Sequence, residues 1–174
     1  MDDEENTFNI YTLSEIDIDD LMYHAEQGDA ECICALGYCY ENGIKVQKDE
    51  VKAYLLYCQA ADMGFANGIY NKGVFIGFGR GGAVRSPVQY FELIRQAAVL
   101  GFAPAQNDLG WCYEEGIKHG CIEYTDTQKA FQWYLKSARQ GHSTGITNVI
   151  RCLKEGIGTD KNEEEARKWE EGII

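Results

Sequence analysis

Apolar residues recur along this chain at helical spacing, and glycines interrupt them at regular intervals. The first clear case begins after Gly28, where three apolar side chains stand three and four positions apart and so share one face of a helix: Ile33, Leu36 and Tyr40. Gly43 follows, as a glycine commonly does just beyond a helix C-terminus. After a short polar loop, Asp49 is suited to cap a second helix, which Gly64 closes. The pattern therefore predicts a helix–turn–helix pair.

The same pair of helices recurs through the rest of the chain. A glycine closes the second helix every 36 to 40 residues, at Gly28, Gly64, Gly101 and Gly141. Fifteen residues after each of these, another glycine ends the following helix, at Gly43, Gly79, Gly116 and Gly156. Such a period is typical of a solenoid, in which a repeat buries its apolar face only by stacking on the next one. The first helix of each pair is named helix A and the second helix B, and repeat positions are counted from the glycine that precedes helix A.

The core of the repeat is predicted at positions five, eight and twelve of helix A. These residues are Ile33, Leu36, Tyr40, Ile69, Lys72, Ile76, Gln106, Leu109, Tyr113, Ile146, Val149 and Leu153. Only Lys72 and Gln106 depart from the apolar pattern. A further glycine lies inside three of these helices, at Gly37, Gly73 and Gly110, where it costs about 1 kcal/mol relative to alanine. We expect it to let a neighbouring helix approach closely.

The combined pattern resembles the Sel1-like repeat, a family related to the tetratricopeptide repeat. The first repeat matches at Ala30, Leu36, Gly37, Tyr40, Gly43, Asp49, Lys52, Ala53, Ala60, Ala61 and Gly64. The third matches at Ala103, Leu109, Gly110, Tyr113, Gly116, Asp126, Lys129, Ala130, Trp133, Tyr134, Lys136, Ala138 and Gly141. The second diverges most, with Lys72, Ile76 and Tyr90 in place of pattern residues. The resemblance implies an all-α solenoid of about four repeats, wound as a right-handed superhelix behind an N-terminal capping helix.

This reading divides the chain into an acidic, flexible N-terminus at residues 1–13 and a repeat solenoid at residues 14–174. The solenoid consists of a cap and four repeats, at residues 14–28, 29–64, 65–101, 102–141 and 142–174. Nine helices are expected, in the order B and then four A–B pairs. The first helix is predicted from Ser14 to Gln27, and the last from Asn162 to Ile174.

The charge of the chain is concentrated at one end. The formal net charge is −12, and residues 1–28 contain nine acidic residues with no lysine or arginine. Nucleic acid is therefore excluded as an expected partner, because phosphate binding requires the opposite charge. Two interpretations stay open for this block: a solvated tail and cap, or a docking patch for a basic protein.

The cysteines favour a reducing compartment. Some members of the family are secreted and carry one interhelix disulfide per repeat, but the seven cysteines here do not recur in pairs. Cys39, Cys112 and Cys152 share one position of helix A without a regular partner on helix B. We expect small buried thiols in a cytoplasmic protein. Neither a signal peptide nor a membrane span is expected.

No motif in the chain predicts catalysis, a metal or a cofactor. The Gly77–Gly82 stretch has the spacing of a dinucleotide fingerprint but follows a predicted helix instead of a strand, so it is interpreted as an A–B loop. Its flexibility leaves Arg80 as a less favoured candidate for contact with a partner. Cys112, His119 and Cys121 lack a fourth ligand at standard zinc spacing. The chain is predicted not to be an enzyme.

A partner is expected on the face of helix A opposite the core, at positions three, seven, ten and fourteen, which the resemblance places on the concave side. The candidate partner-binding residues are Tyr38, Asn42, Asn67, Asn71, Phe78, Asp108, Trp111, Glu115, Asn148 and Arg151. Tyr38, Phe78 and Trp111 stand out because tyrosine, tryptophan and arginine are the usual anchors of interfaces. Packing against an adjacent helix A is an equal alternative for these three aromatics. An insertion at Lys118–Tyr124 is a further, less favoured candidate.

The function predicted from these features is a non-enzymatic protein-binding module, monomeric in isolation. Bacterial members of the family include immunity proteins that neutralise toxins. The alternative prediction is therefore an immunity protein that inhibits a cognate, basic toxin by direct binding.

Overall fold

The computed structural model of the chain describes residues 17–116 and 125–173. Within these residues it consists of α-helices joined by short loops, with no strand. The helices are α1 (Ile18–Glu26), α2 (Ala30–Asn42), α3 (Glu50–Asp62), α4 (Ala66–Phe78), α5 (Pro87–Val99), α6 (Ala103–Glu115), α7 (Thr127–Arg139), α8 (Ser143–Glu155) and α9 (Glu163–Glu170). Helices α2, α4, α6 and α8 are the A helices. The predicted order of one B helix followed by four A–B pairs is confirmed in the described part of the chain.

The two terminal helices are shorter than the sequence predicted. Helix α1 begins at Ile18 because Asp17 has an extended backbone and its carboxylate accepts a hydrogen bond from the Asp19 amide. Helix α9 ends at Glu170, and Gly172 adopts a left-handed conformation with φ of 66°. Residues 1–16, which include the predicted N-terminal segment, lie outside the described residues.

The recurring glycines set the boundaries of the helices through their backbone conformation. The four glycines that precede A helices have φ between 78° and 95°, a region that residues other than glycine rarely adopt. Those that follow the A helices have φ between 67° and 77°. The B helices begin at capping side chains, as predicted for Asp49, whose Oδ1 accepts hydrogen bonds from the Val51 and Lys52 amides. The sequence period therefore corresponds to one turn–helix–turn–helix unit.

The chain forms two compact units, Met1–Arg85 and Ser86–Ile174. In the first unit, α1 to α4 pack consecutively around a core that contains Leu21, Ala25, Ile33, Leu36, Cys39, Ala53, Tyr57, Ala60 and Phe75. In the second unit, α5 to α9 pack consecutively, and the largest side chains fully removed from solvent are Ile94, Leu109, Cys112, Tyr134, Val149, Cys152 and Leu153.

The buried face of helix A is wider than the predicted stripe. Eight of the twelve predicted core positions are buried, and the other four are partly exposed: Tyr40, Lys72, Tyr113 and Ile146. Position eleven was not among the predicted core positions, yet its side chain is buried in every repeat. The residues at this position are Cys39, Phe75, Cys112 and Cys152. Helices α2, α6 and α8 each pack against the B helix before them and the B helix after them, so two adjacent rows of side chains are covered on these helices instead of one.

Two glycines inside A helices allow aromatic rings to pack directly on the backbone. A methyl group added at Gly37 would lie 2.9 Å from the Tyr57 ring, and one at Gly110 would lie 2.7 Å from the Tyr134 ring. Real Cβ atoms essentially never approach other atoms this closely. The predicted role of these glycines in close helix packing is confirmed.

The described cysteines are free thiols. Burial raises the pKa of Cys34 to about 12 and that of Cys152 to about 11. A thiol with so high a pKa remains protonated at neutral pH and is a poor nucleophile or metal ligand. These cysteines therefore act as small apolar side chains in the core. Cys121 lies outside the described residues.

Candidate functional site

The first unit contains five of the predicted binding residues, on α2 and α4. Phe78, in the last turn of α4, has 71% of its surface exposed. Tyr38 is only partly exposed, because its side chain packs against the core of this unit. Asn42 is exposed and its Nδ2 donates to the Tyr38 carbonyl 3.0 Å away. The predicted binding face of the first unit therefore presents aromatic and amide side chains.

Two asparagines of α4 form one hydrogen-bonded group in the first unit. The Nδ2 of Asn71 donates to Oδ1 of Asn67 at 2.7 Å and lies 3.8 Å from Sγ of Cys34 on α2. Because the contact with Cys34 joins α4 to α2, Asn71 contributes to packing between successive A helices as well as to the surface.

The second unit contains the other five residues, on α6 and α8. Trp111 has 52% of its surface exposed. Asp108 precedes it by three residues and Glu115 follows it by four, so all three lie on one face of α6. Glu115 is exposed and Asp108 is partly exposed. The structure thus brings an accessible indole and two carboxylates together.

An amide pair joins the two A helices of the second unit. The Nδ2 of Asn148 on α8 donates to Oδ1 of Asn107 on α6 at 2.8 Å. Asn107 is buried, and sequence reasoning did not select it because it lies beside the predicted polar stripe. Asn148 and Asn71 occupy the same repeat position, and each contacts position six of the A helix one repeat earlier.

Arg151 is held by a carboxylate within the same unit. Its Nη1 lies 2.8 Å from Oε1 of Glu114, and its Nη2 lies 2.6 Å from Oε2. The hydroxyl of Tyr134 donates to the same Oε2 at 2.8 Å. The hydrogen bonds from Arg151 and Tyr134 hold the pKa of Glu114 below its ordinary value. The pKa of Tyr134 is raised, mainly by burial and to a lesser extent by its hydrogen bond to Glu114. The charge of Arg151 is therefore balanced inside the protein.

An equivalent ion pair occurs in the first unit. Glu41 occupies the repeat position of Glu114 and accepts hydrogen bonds from Arg80 and Tyr57, with distances of 2.8 Å and 2.7 Å. Arg80 also lies 2.8 Å from Glu50 and stands over the Phe75 ring, 4.4 Å from its centroid. The suggestion that Arg80 reaches out to a partner is therefore not supported, because carboxylates and a ring hold it.

Sequence reasoning missed both ion pairs. The signal present was a glutamate at position thirteen of helix A in the first and third repeats, together with a tyrosine at the same place in their B helices. The arginines gave no such signal, because Arg80 comes from a loop and Arg151 from the middle of a helix.

We predict that Glu114→Gln removes part of the acid sensitivity of the protein. The pKa of Glu114 lies below its ordinary value of 4.5 only in the folded chain. The stabilisation from its ion pair is therefore present above about pH 4.5 and is lost as the pH falls through the lower, folded pKa. The variant should lose about 1–3 kcal/mol of unfolding free energy at neutral pH. When the pH is lowered further, the unfolding free energy of the variant should fall less than that of the wild type.

The measurement is urea unfolding of both proteins across a series of pH values. Glu115→Gln is the matched control, since it neutralises the adjacent, exposed carboxylate on the same helix. If both variants show the same pH dependence as the wild type, the Glu114 ion pair does not contribute to folding stability.

The other predicted candidates contribute no ligand set in the described residues. No group of three or more histidine, cysteine or acidic side chains there is arranged to hold a metal. Cys112 is buried in α6, whereas His119, Cys121 and the insertion at Lys118–Tyr124 lie outside the described residues. The Gly77–Gly82 stretch begins in the last turn of α4 and continues into the loop before α5, in agreement with the A–B loop interpretation from Gly79 onward. Among the described helices, none is both long and apolar enough to cross a bilayer.

Comparison with known proteins places these observations in a family. The family model described as "Sel1 repeat" matches residues 30–65, 103–142 and 151–169, which together make up more than half of the chain. The chain belongs to the Sel1 repeat family. No curated protein gives a significant match. The unmatched second repeat is the one in which Lys72, Ile76 and Tyr90 replace the pattern residues.

Two crystal structures are similar to this chain over most of its length. A Sel1 repeat protein from Oxalobacter formigenes is 26% identical with a TM-score of 0.73, covering 87% of this chain and 58% of its own. A protective antigen present in uropathogenic Escherichia coli strains, which displays an SLR fold, is 28% identical with a TM-score of 0.74, covering 88% of this chain and 32% of its own. The chain thus spans between about a third and three fifths of the length of these proteins.

These matches confirm the predicted all-α repeat solenoid and the family resemblance. Sel1 repeats generally mediate protein–protein interaction and are typically non-enzymatic scaffolds.

Proposed function

We propose that this chain is a non-enzymatic, cytoplasmic protein-binding module that is monomeric in isolation and holds a partner on the faces of its A helices opposite the core, which the resemblance places on the concave side. The observation that carries the proposal is the exposure of Trp111 on α6, a helix whose opposite side is buried. Tryptophan is enriched among the residues that dominate binding energy, and truncation of such a residue costs 2 kcal/mol or more. Phe78 on α4 is the corresponding accessible aromatic of the first unit.

The ten candidate residues divide by their contacts into two groups. Phe78, Trp111, Asn42 and Glu115 are exposed and are proposed to contact the partner directly, with Tyr38, Asn67 and Asp108 beside them. The other three, Asn71, Asn148 and Arg151, bond to side chains of the preceding repeat. We propose that these three position the faces on which the partner binds.

The alternative function is that of an immunity protein that inhibits a basic toxin. It is favoured by the acidic first helix, where Asp19, Asp20 and Glu26 are exposed and no lysine or arginine occurs. Charged surfaces of opposite sign speed the association of two proteins. The carboxylates of Asp17, Asp19 and Asp20 also stabilise α1, because acidic groups are favourable at a helix N-terminus.

We predict that Trp111→Ala weakens partner binding by about 2 kcal/mol or more, which is a roughly 30-fold rise in Kd. The partner would be obtained by cross-linking and affinity capture from the native host, then purified and measured by calorimetry. Val99→Ala is the matched control, because Val99 is an exposed apolar residue on helix B of the same unit. Equal effects of the two substitutions would show that the α6 face is not the binding face.

The same purified partner separates the two candidate functions. An immunity protein suppresses the activity of its toxin at a one-to-one ratio. If saturating amounts of this chain leave the activity of the partner unchanged, the inhibitor function is contradicted. The adaptor function then remains as the proposed function.

A further inference from the structure

We propose that the α6 face of the second unit binds a lysine or arginine side chain from a basic segment of the partner, with the cation stacked on the Trp111 indole. This proposal rests on the proposed function and names the chemistry that the site selects. The occupant is a protein segment of positive charge.

The arrangement of α6 gives the indole two flanking carboxylates. Asp108, Trp111 and Glu115 are spaced by three and four residues, so they form one stripe along the helix. A cation over the face of a tryptophan is attracted by the ring, and the attraction is about 0.5–1 kcal/mol at an exposed site. Carboxylates on either side strengthen the preference for a positive charge, and they exclude an anionic occupant.

Arg151, which occupies the repeat position of Trp111 one repeat later, is held by another carboxylate. Arg151 is paired through both of its terminal nitrogens with Glu114, whose second oxygen also receives the Tyr134 hydroxyl. Among the described residues of this unit, no ion pair involves Glu115. Glu115 therefore places a negative charge on the same face of α6 as an accessible ring.

Other aromatic rings of this chain already carry a cation in this geometry. Lys136 Nζ lies 3.9 Å from the centroid of the Trp133 ring in the second unit. In the same unit Lys129 Nζ lies 5.6 Å from the Tyr113 ring. Both rings are partly covered by a neighbouring lysine, whereas half of the Trp111 surface is open to solvent.

The first unit provides an internal comparison, because it has the same three repeat positions with different chemistry. Ala35, Tyr38 and Asn42 stand where α6 has Asp108, Trp111 and Glu115. Ala35 is buried and Tyr38 packs on the core, so α2 presents neither an open indole nor a carboxylate at these positions. The basis for cation binding is therefore particular to the third repeat and is not a general property of the fold.

The test uses the full chain with ¹⁵N-labelled tryptophan, whose three indole N–H groups give separate NMR signals. Trp111→Phe identifies the Trp111 signal by its loss. The probe is a blocked tri-arginine peptide, and the matched peptide contains citrulline, which has the same shape without the charge. We expect the arginine peptide to shift the Trp111 signal selectively, with weaker binding as the salt concentration rises. The citrulline peptide should leave it unchanged.

Glu115→Asn is the matched variant, since it introduces the residue that the first unit has at this position. Because Glu115 is exposed, the variant should keep the wild-type melting temperature and the signals of Trp133 and Trp169. Its Kd for the arginine peptide should rise by a factor of about 1.4 to 5, as expected for the loss of one exposed charge interaction of about 0.2–1 kcal/mol.

Three results would overturn the inference: equal shifts with citrulline, no shift with arginine, or an unchanged Kd in Glu115→Asn. A tri-glutamate peptide that shifts the Trp111 signal would overturn it as well. These results leave the proposed function standing if Trp111→Ala still weakens the binding of the captured partner. If Trp111→Ala has no effect on that partner either, the proposed binding face is also wrong.

Discussion

Leu109→Ala should destabilise the protein by about 2–5 kcal/mol, whereas Trp111→Ala should cost less than about 1 kcal/mol. Leu109 is completely removed from solvent, and its loss leaves a cavity in the core of the second unit. Trp111 stands two residues away on the same helix, with 52% of its surface exposed, so its truncation leaves no closed cavity. The pair therefore separates the structural side of α6 from the side proposed to bind a partner.

The measurement is urea unfolding followed by circular dichroism, with the free energy and the slope fitted for each variant. Equal slopes indicate that the substitutions change stability and not the extent of unfolding. If Trp111→Ala destabilises the protein as much as Leu109→Ala, Trp111 belongs to the core, and both the proposed function and the cation site lose their main residue.

Gly158→Ala should also lower the free energy of unfolding by about 2–5 kcal/mol, because a side chain at this position is disfavoured for two separate reasons. Its φ of 66° lies in the left-handed region, where an alanine costs about 1–2 kcal/mol. An added Cβ would in addition overlap the carbonyl oxygen of Thr127, the first residue of α7. Relief of that overlap requires the loop or the helix to move, which costs a further 1–3 kcal/mol or so.

Gly141→Ala is the matched control for this prediction. Gly141 has φ of 78°, yet nothing lies within 4 Å of an added Cβ, so only the conformational cost applies. The difference between the two variants in thermal or urea unfolding measures the steric part. Lys45 shows that the left-handed backbone alone is tolerated, since it has φ of 57° at the repeat position of Gly158. Equal losses in the two variants would show that the loop does not press on α7.

Local physical chemistry makes the architecture of the repeat readable from the sequence. The positive φ that ends each helix excludes nearly every residue except glycine, so Gly28, Gly64, Gly101 and Gly141 mark the period directly. Capping requires a side-chain oxygen next to free amides, so Asp49 and Ser86 mark the start of B helices. Both signals depend on residues a few positions apart, and neither requires knowledge of what packs on the helix.

The width of the buried face and the partners of the charged residues were not readable in this way. Position eleven is buried by packing against neighbouring helices, and an isolated periodic pattern does not report which sides of a helix its neighbours cover. The arginine that neutralises Glu41 comes from a loop 39 residues later, and the one that neutralises Glu114 comes from a helix 37 residues later. Only the packed helices show which of these charges meet.

The candidate site residues divide into exposed residues and residues bonded to the preceding repeat. The sequence did not predict this division, because it depends on contacts between repeats. The sequence placed Asp108, Trp111, Glu115, Asn148 and Arg151 on the polar faces of the A helices, because spacing along one helix is a local property. Which of them remain accessible depends on contacts between helices, through which Asn148 and Arg151 bond to the preceding repeat and Trp111 stays open. Hydrogen bonds and ion pairs between repeats require specific atoms to meet within about 3 Å. That condition is determined by the packing of whole repeats, and a one-dimensional pattern does not contain it.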